Sequence, residues 1–124
     1  MEDSERIVTP QAQQPFGAAP RDHTGQALSS AAMMRFTMAE SQVYPLAMTD
    51  PAGYEYAITL VGLVANELRE SCSDFDSVLA ARTDLIERLP DLARASGVES
   101  VGLPADTIVD AASALRCREL QTLG

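Results

Sequence analysis

The sequence predicts an all-α protein: a small up-down-up three-helix bundle preceded by a disordered N-terminal tail. Three observations carry that prediction. From Thr49 to Leu120 the apolar residues recur at spacings of three and four, the pattern of helices that turn one face inward. Helix-start chemistry stands at Asp50-Pro51, at Ser73-Asp74 and at Pro104, where a capping oxygen or a preset proline φ suits the first turn. The first 30 residues are rich in Pro, Gln, Gly and Ala and offer almost nothing to bury, so they do not repay the entropy of ordering.

The chain divides accordingly into a tail over 1–30, a short helix or irregular arm over 31–48, and the bundle over 49–124. In the arm, the run Ala31-Ala32-Met33-Met34-Arg35-Phe36 reads as a short helix and Val43 to Met48 as an extended or irregular segment. The first bundle helix starts at Asp50-Pro51 and runs to about Ser71. Tyr54, Ile58, Val61, Ala65 and Leu68 form one stripe, and Leu60, Leu63 and Val64 add a second apolar face. Its apolar run, Ala57 to Ala65, is about half the length of a membrane span and is flanked by Glu55, Glu67, Arg69 and Glu70. The second helix opens at Ser73, with Asp76 three residues on as in a capping box. Phe75, Val78, Leu79, Leu85, Ile86 and Leu89 form its apolar face until Pro90 interrupts the pattern. A continuation over Asp91 to Ser96 stops at Gly97. The third helix follows Pro104, with Asp106 at its start, Arg116 and Arg118 near its end, and a buried stripe of Ile108, Val109, Ala112, Leu115 and Leu120.

All nine basic residues are arginine, a bias expected of a GC-rich bacterial genome, and eighteen acids leave a net charge of −9. Thirteen of those acids lie in residues 49–124, so the folded part repels phosphate backbones and anionic lipid, and nucleic-acid binding and membrane insertion are not expected. The N-terminal residues Met1-Glu2-Asp3-Ser4-Glu5-Arg6 are acidic and lead into no apolar run, so no secretory signal is expected and the cytoplasm is the default compartment. There Cys72 and Cys117 are expected to stay reduced.

Chemistry-bearing residues are sparse. His23 stands beside Asp22 with no second ligand or catalytic partner at a useful spacing and reads as a solvated tail residue. Cys72 and Cys117 form no C-x-x-C pair, although an up-down-up bundle places both at one pole. Cys72 precedes a helix N-terminus, whose dipole favours a thiolate, which makes it the candidate reactive thiol. Asp74 with Asp76, and Glu67 with Glu70, read as helix caps or solvated faces. With no phosphate loop, no nucleophile elbow and no metal-ligand spacing, neither an enzyme nor a cofactor or metal is expected.

One local motif resembles a known family. The stretch Asp74-Phe75-Asp76-Ser77-Val78-Leu79-Ala80-Ala81-Arg82 resembles the Asp-Ser-Leu segment of acyl and peptidyl carrier proteins, which implies Ser77 as a phosphopantetheine attachment site. The resemblance covers about nine of 124 residues. The sequence departs from the family where Phe75 replaces the usual glycine, Val78 replaces the leucine, and the long loop before the serine is missing.

The leading expectation is therefore an interaction protein. The first bundle helix carries more apolar surface than two neighbours can cover, so Ile58, Val61, Leu63, Val64 and Leu68 are expected to contact a second copy or a larger protein partner. Two alternatives stand beside it. The arm from Met33 to Met48 can fold back over the spare face, or the protein works as a carrier or thiol-dependent protein through Ser77 or Cys72.

Overall fold

The computed structural model describes residues 19–98 and 102–122. The first 18 residues of the expected tail lie outside the described part. Among the described residues six helices follow one another: α1 (Ser30–Val43), α2 (Leu46–Thr49), α3 (Pro51–Ser71), α4 (Phe75–Ala80), α5 (Arg82–Ala95) and α6 (Ala105–Thr122). Among the described residues the only β-type pairing is an isolated bridge between Arg21 and Ala27. The protein is all-α as predicted, but the up-down-up bundle of three helices is not what forms. Instead α6 is an axis, with α1, α3, α4 and α5 packed against it.

α6 takes that position because it can be approached from every side. It is buried without a break from Thr107 to Ala114, and again at Arg116, Cys117 and Leu120, where the sequence suggests a single stripe. Ala111, Ala112, Ser113 and Ala114 project little, so neighbouring helices close in around them at interior packing density. Its two buried charged side chains are matched rather than solvated. Arg82 donates to both carboxylate oxygens of Asp110, Nε to Oδ1 at 2.7 Å and Nη2 to Oδ2 at 3.0 Å. Arg116 donates through Nε and Nη2 to the Cys72 carbonyl at 3.2 and 2.9 Å. The Ser113 hydroxyl is buried with no hydrogen-bond partner among the described residues.

The arm predicted over 31–48 is an integral part of the fold. Ser29 Oγ accepts from the Ala32 amide at 3.1 Å and starts α1. Ala32, Phe36, Ala39 and Val43 then bury one stripe, and α1 packs chiefly on α6 while α2 packs on α3. In α3 the expected start is present: Asp50 Oδ1 accepts from Gly53 N at 3.1 Å and Pro51 occupies the first turn. Gly53 leaves room for that cap, because a Cβ at that position would sit 2.3 Å from Asp50 Oδ2 and displace the carboxylate.

The second predicted helix divides at Ala81, not at Pro90. Pro90 lies inside α5, whereas the turn at Ala81 re-aims the buried face from Phe75 and Val78 of α4 to Leu85, Leu89 and Ala93 of α5. The same turn delivers Arg82 to Asp110. α5 ends as expected at Gly97, whose φ is 75°. Gly97 N donates to Arg94 O at 3.1 Å and Val98 N to Ala93 O at 2.9 Å, a Schellman arrangement that only a residue tolerant of positive φ closes without strain.

Candidate functional site

The sequence candidates Cys72 and Ser77 meet at the junction of α3 and α4, so that junction is the first place to look for chemistry. Residues 19–29, assigned to the tail from sequence, fold over it as a strap. Leu28 N donates to Pro20 O at 2.9 Å and Asp22 N to Gln26 O at 3.0 Å, and both Leu28 and Asp22 are buried. Asp22 Oδ1 accepts from Thr24 Oγ1 at 2.6 Å, Thr24 N at 2.9 Å and Gln26 N at 3.0 Å. Its other oxygen reaches across 53 positions of sequence to accept from Phe75 N at 2.8 Å. Burial alone pushes this carboxyl up, but the bonds it accepts from the Thr24 hydroxyl and from three amides outweigh burial and bring it down to about 2.

The strap completes the start of α4. Gln26 Oε1 accepts from Asp76 N at 2.7 Å, and Asp74 Oδ1 accepts from Ser77 N at 2.8 Å. With Asp22 on Phe75 N, the first three amides of α4 all have side-chain acceptors. The capping box is real but shifted one residue from the sequence reading, to Asp74 and Ser77. Ser77 Oγ accepts from Asp74 N at 3.2 Å and donates to Asp74 O at 2.9 Å. The hydroxyl that a carrier protein would modify is thus engaged in holding its own helix. His23, exposed as expected, is nonetheless tied to the junction by a hydrogen bond between Nε2 and the Ser73 carbonyl.

Cys72 is also enclosed here. It is 5 % exposed, its thiol donates to Ser77 O at 3.4 Å, and its carbonyl receives Arg116. Cys117 is buried on α6, where desolvation pushes its thiol up to about 12, and neither cysteine is in a disulfide. Nearby, Arg69 makes three hydrogen bonds to the two oxygens of Glu119 at 2.7 to 3.1 Å and Arg116 adds a fourth at 3.2 Å. The bonds from Arg69, foremost, and from Arg116 hold the Glu119 carboxyl below its usual range. Among the described residues, the polar side chains of Asp22, Gln26, Asp74 and Ser77 at the junction are hydrogen-bonded to one another's segments.

The contact residues predicted on the first bundle helix are mostly interior. Val61, Val64 and Leu68 are buried in the core, and Ile58 and Leu63 are half-buried against it. The surplus that the sequence shows on this helix is taken up by α6, α2, α5 and α1. The exposed apolar surface lies instead on the outward side of α1 and on α2. Met34 is 66 % exposed, Met38 57 % and Met48 88 %, with Met33 and Tyr44 exposed to a lesser degree, while on α3 Tyr56 alone of the large apolar side chains is exposed among the described residues.

This face follows from helix geometry. Opposite the stripe of Ala32, Phe36, Ala39 and Val43 stand Ser30, Met33, Met34, Thr37, Met38 and Ser41, all exposed and all uncharged. Of the twenty residues from Ser30 to Thr49 only Arg35 and Glu40 carry charge. Glu40 pairs with Arg118 of α6. Arg35 is half-buried on the other flank, its Nε enclosed without a hydrogen-bond partner among the described residues. Along one edge of the face a cleft of about 270 Å³ runs between α1 and α6, lined by Leu28, Met33, Phe36, Ala114 and Cys117 among others. Unbranched, polarizable methionines suit a surface that adapts to what covers it.

The sequence carried one signal for this face that the contact prediction passed over. Four of the five methionines fall between positions 33 and 48. Among the described residues no helix is long and apolar enough to cross a membrane. Comparison with family models, with curated proteins and with solved structures gave no match to the chain.

Proposed function

We infer that this protein is a small acidic helical interaction module that docks through the outer face of α1. The observation that supports this is the uncharged, methionine-rich side of α1 in a chain of net charge −9. A helix kept only for packing has no need of three exposed methionines within six residues, and a solvated face is ordinarily charged. Contact through the α3 stripe, by contrast, would require residues that the core already uses.

Magnitude sets the kind of docking. Together the exposures of Met33, Met34 and Met38 amount to about one and a half whole side chains. Covering them is worth about 2 to 5 kcal/mol at roughly 1.5 to 3 kcal/mol per buried methionine. Association costs about 4 to 15 kcal/mol in lost motion and ordering. The face therefore supports reversible docking, and needs apolar surface contributed by the other side. A carrier or thiol-dependent role has less to rest on, since the Ser77 hydroxyl is engaged in its own helix cap and the Cys72 thiol is buried.

The test is fluorescence of a hydrophobic dye at low protein concentration, on the full chain and on a variant carrying Met34→Glu and Met38→Glu. The wild type is expected to enhance the dye and the double variant to lose most of that enhancement while keeping its helical circular dichroism. Equal, negligible enhancement in both would remove the reading.

A further inference from the structure

We propose that the occupant of the α1 face is a second copy of the same chain, its α1 packed antiparallel against the first across a two-fold axis. The proposal rests on the reading of α1 as a docking surface and names its partner. Charge is the first argument. Residues 30–49 hold one arginine and one glutamate, so the whole net charge of −9 belongs to the rest of the chain. Two copies of so acidic a protein repel through almost any other pairing of surfaces, and α1 offers the approach with least like-charge cost.

Self-complementarity is the second argument. With the axis placed between Thr37 and Met38, antiparallel pairing sets residue 34 opposite residue 41 and residue 37 opposite residue 38. The two most exposed methionines of α1 then face short side chains of the other copy, Met34 over Ser41 and Met38 over Thr37, while Met33 at the edge lies against Gln42. Large against small on facing helices is how two identical surfaces interdigitate, and an isologous interface requires this reciprocity. Ser41 is suited to cover, because its hydroxyl already donates to Met38 O at 2.7 Å in its own helix and would not be left unpaired.

The experiment is sedimentation of the full chain over a wide concentration range, joined to cross-linking. The wild type is expected to move from monomer toward dimer with rising concentration, and the Met34→Glu, Met38→Glu variant to weaken that association at least about tenfold. Under mild oxidation by glutathione disulfide, Thr37→Cys is expected to form a disulfide between copies well ahead of Glu55→Cys, an exposed control on α3. A monomer at all concentrations that still enhances the dye overturns the second copy while leaving α1 a docking surface for another protein. A monomer that does not enhance the dye overturns both. A dimer unaffected by the double variant, or one that cross-links faster through Glu55→Cys, overturns the proposed face.

Discussion

Replacing Phe36 with alanine separates an integral α1 from a dispensable arm. Phe36 is 5 % exposed and lies on the stripe that α1 turns toward α6. Truncating a buried phenylalanine costs about 3 to 5 kcal/mol, through lost transfer energy and the cavity left behind. Phe36 also lines the cleft between α1 and α6, so part of its surroundings is already open and the low end applies, about 3 kcal/mol. For a domain of about a hundred residues that lowers Tm by roughly 12 °C or more, at about 4 °C or more per kcal/mol. Met34→Ala, on the outer side of the same helix, is expected to stay within about 0.5 kcal/mol of wild type. The assay is urea unfolding followed by far-ultraviolet circular dichroism. A Phe36→Ala midpoint indistinguishable from wild type, or early separate loss of the α1 signal, would refute the placement of α1 in the cooperative core.

Three further outcomes follow from particular contacts. Gly62 has open space where a Cβ would go, and Gly62→Ala is expected to stabilise by up to about 1 kcal/mol, whereas Gly53→Ala, which displaces the Asp50 cap, is expected to gain nothing or to destabilise; equal gains in thermal melts would contradict the cap geometry. Asp22 titrates at about 2 in the fold against 3.8 ordinarily, so its contribution is present above about pH 4 and is lost as pH falls toward about 2. Asp22→Ala should therefore be less stable than wild type at neutral pH with a gap that closes on acidification, and a gap independent of pH would count against the strap. Cys117, its thiol pushed up to about 12 by burial, should alkylate at pH 8 far more slowly in the native protein than in urea, and similar rates would place it at the surface.

What the sequence could reveal was local. The Asp50 cap with Pro51, and the end of α5 at Gly97, are decided by a few adjacent residues, and they stand where the sequence places them. The errors came where the deciding partner is remote. Asp110 and Arg116 look like surface residues of an amphipathic helix until Arg82, 28 positions earlier, and the Cys72 carbonyl, 44 positions earlier, are seen to meet them. With those two charges matched, α6 can be buried on every side, and the apolar surplus of α3 has somewhere to go. The strap was misread for the same reason. Nothing near Asp22 shows that its second oxygen will find the Phe75 amide. Ser77 and Cys72 looked available because a helix start is usually open to solvent, and here residues 19–29 close it. α1 carried its own evidence in the methionine run, but its periodic stripe of Ala32, Phe36, Ala39 and Val43 is small enough to pass for an arm.

The openness of the α1 face is tested most directly by methionine methyl NMR with a soluble paramagnetic probe. The full chain, labelled at its five methionine ε-methyl groups, would be measured at high dilution. The account predicts strong broadening of the Met34, Met38 and Met48 signals by the probe, weaker broadening of Met33, and recovery of Met34 and Met38 as concentration rises and copies pair. Met34 and Met38 signals protected from the probe even at dilution would show that the face is covered within the chain itself, and would contradict the claim that it is there to dock.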